Sequence, residues 1–444
     1  MKNFMQIMNT ITPDAIRSCV LSTLKRFPVT IGYTALFTLV AMTFVWHPDL
    51  MEGMQQVNIL AFLFEGALLG LAMQFWDECT GKKHLWQQVV GHVALLALAI
   101  EWYVMGSVGM GLVTAHIAIV LNLIMACVFL PFSGEKDEIP VVNFVSRLIA
   151  TGIKVPLVGL LPTVLLCGLI TASFPVFFDI TASPEDYLSI VIFFQIVFPV
   201  LLFLSRVVKG KHMTNRKLEI PSYVRMFTSL LIVAVIVYMC ILYCYECHIA
   251  LAWELPNGGV SYLVAVMMGM CLLLEIFLYF IRHDGNSHTS NWFLRWMPLF
   301  MMPLLILMTI GICRRINDYG ITTSRLYLAT LNVWFYVVCI IMLKTNVRRI
   351  HWIPISFCVV FALVSVLPIN FNFVARNYIY NDIRQKQEMR DKMNEKELED
   401  LREREVYLRD YYGIDIISRQ NPSSRDSIGQ DTLKECPQPV EDVQ

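Results

Sequence analysis

Residues 111–132 read GLVTAHIAIVLNLIMACVFLPF, 22 positions in a row without a formal charge. A helix of about 20 residues crosses a hydrocarbon layer of roughly 30 Å. Inside lipid no water is present to satisfy backbone N–H and C=O groups, so a lone run of this length must close its hydrogen bonds within itself, as an α-helix. Working outward, ten further runs of similar character appear at 28–46, 57–76, 85–104, 155–178, 188–205, 227–245, 260–280, 297–313, 326–343 and 353–374. Together they predict an all-α, polytopic transmembrane helix bundle of about eleven spans. A membrane β-barrel would alternate apolar and polar residues over segments of about ten, and these continuous runs do not.

Composition agrees. The 444 residues are 56% hydrophobic and 16% charged, which does not suit a water-facing surface. The 35 basic residues cancel the 35 acidic ones, so the basic excess of a nucleic-acid partner is missing. Residues 376–444 hold 12 basic and 16 acidic residues, and this concentration leaves the region before them nearly bare of charge. Of the 12 cysteines, Cys127, Cys167, Cys271, Cys339 and Cys358 lie inside apolar runs, where cysteine acts as a small hydrophobe. Asp14, Arg17, Lys25 and Arg26 interrupt the first 27 residues, so a cleavable signal peptide is not expected.

Four regions follow. Residues 1–27 form an amphipathic interfacial helix: Thr12 can cap it, Pro13 and Asp14 fit its first turn, and Ile16, Val20, Leu24 and Phe27 share a face. Residues 28–375 are the transmembrane domain. Residues 376–413 form a charged helix with Leu398, Leu401, Leu408 and Tyr412 at approximate heptad positions, stopped by Gly413. Residues 414–444 lack apolar periodicity and are expected to be disordered. With the N-terminus cytoplasmic, 20 of the 23 basic residues before position 376 fall on the inner side, as membrane insertion favours. An odd number of spans then puts the charged tail outside, in a bacterial inner membrane.

Ionisable groups at lipid depth are costly, which nominates Glu65, His92, Glu101, His116 and Glu275. Either they are hydrogen-bonded structural groups or they line a proton or ion path. Glu65 stands out, because Gly66 and Gly70 beside it let a neighbouring helix approach closely. Prolines in several spans are compatible with a transporter, but no inverted repeat accompanies them. Cys244, Cys247 and His248 have the spacing of a c-type haem attachment, a disulfide or metal site, or unremarkable thiols. Nothing near them nominates a distal ligand or a haem-burying domain, so neither cofactor nor metal is expected.

The most specific string joins the ninth and tenth runs: Arg314-Arg315-Ile316-Asn317-Asp318-Tyr319-Gly320-Ile321-Thr322-Thr323-Ser324-Arg325. Its Arg315, Tyr319-Gly320, Thr322 and Arg325 resemble the signature loop of an uncharacterised bacterial polytopic family, domain of unknown function four-one-five-three. The Lys25-Arg26-Phe27-Pro28-Val29-Thr30 opening resembles its Bacteroidetes-type members. The resemblance implies a membrane protein without a known activity. Read physically, Asp318-Tyr319-Gly320 permits a tight turn and Thr322 or Thr323 can cap the next helix. Arg315 and Arg325 would then flank that helix start, either as a site for an anion or lipid headgroup or as a hairpin that sets helix depth.

The sequence thus points to an integral inner-membrane protein, foremost a non-enzymatic envelope scaffold or sensor in contact with membrane lipid and envelope protein partners. A transporter of a small anionic or lipid-derived solute is the alternative. A lipid-modifying enzyme comes third, since the sequence shows no nucleophile triad, metal cluster or phosphate loop.

Overall fold

The first ten apolar runs are helical in the computed structural model, which describes residues 13–412 except 52, 105–109, 133–138, 179–181, 208–221, 253–259, 283–286, 346–351, 368–369 and 389–394. The tail from 413 onward therefore lies outside the described residues. Among those described there is no β-strand. The helices are α1 (Pro13–Arg26), α2 (Pro28–Trp46), α3 (Gly53–Thr80), α4 (Leu85–Val104), α5 (Met110–Phe129) and α6 (Ile139–Phe178). Then come α7 (Pro184–Ile192), α8 (Phe198–Arg206), α9 (Ser222–Ala252), α10 (Val260–Arg282), α11 (Ser287–Tyr319) and α12 (Thr323–Thr345). α13 (Trp352–Ser365), α14 (Phe371–Glu388) and α15 (Glu395–Tyr412) complete the described residues. Among the described residues, ten helical segments are long and apolar enough to cross a membrane, α7 and α8 counting as one. This is a multi-pass membrane protein.

Local chemistry explains where helices stop and start. α3 ends where Gly81 takes φ 68° and donates its N–H to the Asp77 carbonyl, a left-handed stop that a side chain would strain. α7 opens with Ser183 and Asp186 in reciprocal capping bonds and Pro184 in the first turn. Between α7 and α8 the helix widens into one π turn, Phe193–Val197, just before Pro199. A proline N–H is missing there, and the wider turn accommodates the lost bond without ending the helix.

The eleventh run departs from the sequence expectation. Only residues 353–365 of it are helical as part of α13, after which the chain turns and restarts as α14. Pro368 in an unbroken helix would lack a donor and clash with the carbonyl four residues earlier. Asn370 then accepts the Phe373 N–H at 2.9 Å and caps the new helix. α13 nonetheless runs antiparallel beside α12, because Trp334 Nε1 donates to Ser356 Oγ and Tyr327 shares a hydrogen bond with Ser365.

The charged region likewise differs from one continuous helix. α14 and α15 pack as a hairpin on Ile379, Ile383, Leu401 and Leu408. Leu401 and Leu408 are thus seam residues, Leu398 is half-buried, and the Tyr412 side chain lies outside the described residues. Asp382 holds the hairpin by accepting from Arg404 at 2.8 Å, with Lys386 at 3.3 Å. α1 packs through Thr23, with Phe27 just after it buried, and leaves Val20 and Leu24 exposed.

Two packed centres hold the bundle. One, near the start of the chain, gathers Phe27, Leu71, Phe75, Cys127, Phe144 and Leu204. The larger one lies among α9 to α12 and is rich in methionine, including the fully buried Met267, Met268, Met301 and Met308. α13 bridges them: its Cys358 carbonyl accepts from Asn122 of α5 at 2.8 Å. Lipid is as apolar as these side chains, so close packing and interhelical hydrogen bonds, rather than burial from water, hold the helices together.

Candidate functional site

Asn58 and Glu65 are seven residues apart on α3, two helical turns, and so lie on the same face. His116 of α5 sits between them. Its Nδ1 is 2.8 Å from Glu65 Oε1 and its Nε2 is 3.2 Å from Asn58 Oδ1. Glu65 and His116 are 2% and 5% exposed, so the contact is closed to lipid. Trp102 of α4 packs its ring edge-on to the imidazole, with centroids 4.7 Å apart.

The hydrogen-bond chain fixes the protons. Asn58 Nδ2 donates to the Ala99 carbonyl at 3.0 Å, which turns Asn58 Oδ1 towards His116 as an acceptor. His116 Nε2 must therefore carry a proton. One further proton must then lie between Nδ1 and Glu65, because otherwise two acceptors would face each other. The pair is a neutral acid with a neutral imidazole, or a carboxylate with an imidazolium. Either way its net charge is zero, which is what a site at lipid depth requires.

α2 closes this region. Tyr33 lies where a Gly66 side chain would stand, and a Cβ on Gly70 would meet Val29 Cγ1 at 2.9 Å. The glycines thus admit α2 against α3. Tyr33 also stacks on His92 of α4, centroids 5.2 Å apart. His92 Nδ1 bonds the Gln88 carbonyl at 2.7 Å, and its buried Nε2 has no partner among the described residues. Glu65, His92 and His116 therefore share one neighbourhood. Glu101 is partly exposed and outside the pair.

Glu275 is elsewhere. It lies in α10, wholly buried in the methionine-rich centre, and neither carboxyl oxygen has a hydrogen-bond partner among the described residues. Cys271 is one turn away on the same helix, and Cys339 of α12 is buried in the same centre.

The loop before α12 is built differently from an open anion site. Gly320 takes φ 77°, and its carbonyl accepts from Arg325 Nη1 at 2.6 Å. Arg315 lies over the Tyr262 ring at 5.7 Å. Thr322 precedes the first turn of α12, with its hydroxyl 3.4 Å from Ser324 Oγ, and the Tyr319 side chain lies outside the described residues. The hairpin covers the loop: a side chain on Gly320 would touch Tyr378 of α14 and Arg404 of α15. Cys244, Cys247 and His248 are exposed on the unbroken helix α9, and both thiols are free. Among the described residues no group of three or more His, Cys, Asp or Glu side chains is arranged to hold a metal.

Asn58, Trp102 and Tyr33 were not singled out by sequence reasoning. Asn58 carried a usable signal, a polar residue at helical spacing from Glu65 inside an apolar run. The two aromatics did not, since aromatic residues recur throughout the spans.

The profile of the family Domain of unknown function (DUF4153) matches residues 19–386, a stretch running from α1 into α14. The chain belongs to the DUF4153 family. Uncharacterized protein PM1469 of Pasteurella multocida (strain Pm70) is 25% identical over 243 residues, which cover 53% of this chain and 40% of that relative. The match thus spans less than half the relative's length. No solved structure matches. Within this DUF4153 chain, the Glu65, His116 and Gly320 features all fall inside the family region.

Proposed function

We propose that this DUF4153 protein is a non-enzymatic scaffold or sensor of a bacterial inner membrane, with α1 cytoplasmic and the α14–α15 hairpin on the opposite face. The observation that carries the reading is the hairpin itself. It has its own apolar seam and packs back onto Gly320, so the bundle presents a folded, charged module rather than a trailing helix. Arg402, Glu403 and Val406 face outward from it and offer a surface to an envelope partner. The charge bias supports the orientation, since the basic residues concentrate at the end of the bundle that α1 occupies. The closed Asn58–His116–Glu65 chain fits a core that holds shape.

A second reading, a proton-linked transporter of a small anionic or lipid-derived solute, is favoured by one feature, the carboxyl of Glu275, which has no hydrogen-bond partner among the described residues. Proteoliposomes enclosing a pH-sensitive dye separate the two. The scaffold reading expects an imposed proton gradient to decay at the same rate with wild type, Glu65→Gln, Glu275→Gln and empty vesicles. Faster decay with wild type that is lost in either variant would assign transport. A photo-reactive residue at 406 should also join the hairpin to one defined envelope protein in intact cells, and joining nothing would count against the scaffold.

A further inference from the structure

At the end of the bundle that holds α1, a cavity of about 490 Å³ opens between α6 and α8. Phe144, Leu148 and Val155 form part of its α6 wall, beside one stripe of mixed character. Arg147, Thr151, Lys154 and Val158 succeed each other at intervals of four, three and four residues, the spacing of a single helix face. The stripe has a polarity gradient: two cations and a hydroxyl come first, then valine. Arg206 and Leu202 supply the same pair of chemistries from α8, one turn apart.

The three cations are uncommitted. The side chains of Arg147, Lys154 and Arg206 are exposed and make no ion pair or hydrogen bond among the described residues. Arg26 nearby is not a fourth. Its fork donates to both Glu78 oxygens at 2.7 Å, and its remaining nitrogen donates to the carbonyl of Val207, a cavity-wall residue. That ion pair cancels its own charge and braces the wall. Among the described residues, three positive side chains without an acidic partner line the cavity, and the stripe ends in apolar Val158. Beyond Val158 the same face of α6 continues with Leu161 and Leu165, 66% and 62% exposed, so the apolar track runs on along the outside of the bundle.

We infer that the cavity binds one anionic phospholipid, its phosphate held by Arg147, Lys154 and Arg206 and an acyl chain laid along Val158, Leu161 and Leu165. Cationic side chains between membrane helices at the headgroup level attract phosphate. Guanidinium forks match phosphate oxygens in pairs, and Lys154 adds a point charge. A soluble phosphate would use the basic end alone and would leave the apolar track unexplained. The order of residues along α6, headgroup chemistry followed by acyl-chain chemistry, is what selects a lipid. This site is separate from the Arg315 and Arg325 loop, which lies at the other end of the bundle.

Native mass spectrometry of the purified full chain in detergent tests the assignment, with phosphatidylglycerol, phosphatidylcholine, glycerol phosphate and inorganic phosphate as probes. Wild type should retain one phosphatidylglycerol and discriminate against phosphatidylcholine. Each such charge contributes enough that Arg147→Gln or Arg206→Gln should weaken retention about fivefold, and the triple Arg147→Gln, Lys154→Gln, Arg206→Gln variant on the order of 100-fold. The single variants alter exposed side chains and keep the test usable should the triple variant fold poorly, as its melting curve would reveal. Equal retention of phosphatidylglycerol by wild type and both single variants would overturn the proposal. So would equal retention of phosphatidylcholine, or displacement of the lipid by glycerol phosphate or inorganic phosphate at matched concentration, which would assign a soluble anion instead.

Discussion

His116 Nδ1 and Glu65 Oε1 meet at 2.8 Å although 51 residues separate them in the chain. Asn58 determines what that contact is, because its acceptor oxygen holds a proton on the far nitrogen of the ring. One proton must then occupy the Glu65 contact. A glutamine at 65 can supply that proton from its amide, and a leucine cannot. Glu65→Gln should therefore cost under about 1 kcal/mol of stability, and Glu65→Leu about 1–3 kcal/mol for the stranded imidazole nitrogen. Thermal melts in detergent would check this. Equal losses in both variants would mean that the carboxyl matters for something other than this bond.

The approach of α2 to α3 gives a sharper test. A methyl group at 66 would enter the Tyr33 ring, whereas one at 32 would meet nothing within 4 Å. Gly66→Ala should destabilise by about 1–3 kcal/mol, the usual range for overpacking. Gly32→Ala should be neutral or stabilise by up to about 1 kcal/mol, since glycine is the poorer helix former. The same melts would read both, and a Gly66→Ala protein as stable as wild type would show that Tyr33 swings away freely.

These pairs mark how far the sequence could be read. Span positions were legible because lipid demands long apolar runs, and the value of Gly66 and Gly70 followed from their spacing of four. The pairing of Glu65 with His116 was not legible, since neighbouring helices can meet on any face and only packing selects it. The split at 365 was hidden for a related reason. Proline is tolerated within membrane helices, as Pro298 and Pro303 inside α11 are, so Pro368 by itself did not announce a stop. The charged tail read as one helix because hydrophobic spacing reports a face and not the partner that covers it. Its partner proved to be its own upstream turn, Ile379 and Ile383.

That seam should control access to the hairpin. Ile383 is fully buried, and an aspartate there would place an unpaired charge against Leu401 and Leu408. Ile383→Asp should open the hairpin and expose the backbone of α14 and α15 to protease. The spans should be untouched. Limited proteolysis followed by mass analysis would show cleavage within 371–388 or 395–412 in the variant at protease levels that leave these helices whole in wild type. Val406→Asp alters an exposed position and should behave like wild type.

Glu275 poses the opposite case, a polar group whose removal should help. Its carboxyl oxygens are buried without a partner, so the folded protein carries a desolvation cost that no hydrogen bond in the described structure offsets. Methionine has a similar length, no polar oxygen, and a place among Met267, Met268, Met301 and Met308. Glu275→Met should therefore raise stability by about 1–3 kcal/mol. Glu275→Gln, which keeps polar atoms in the same apolar surroundings, should recover less of that gain. Melting curves of the three proteins give the order directly. A Glu275→Met protein less stable than wild type would mean that the carboxyl has a partner in lipid, such as a bound water or ion, and would shift weight from a packed core towards a conducting one.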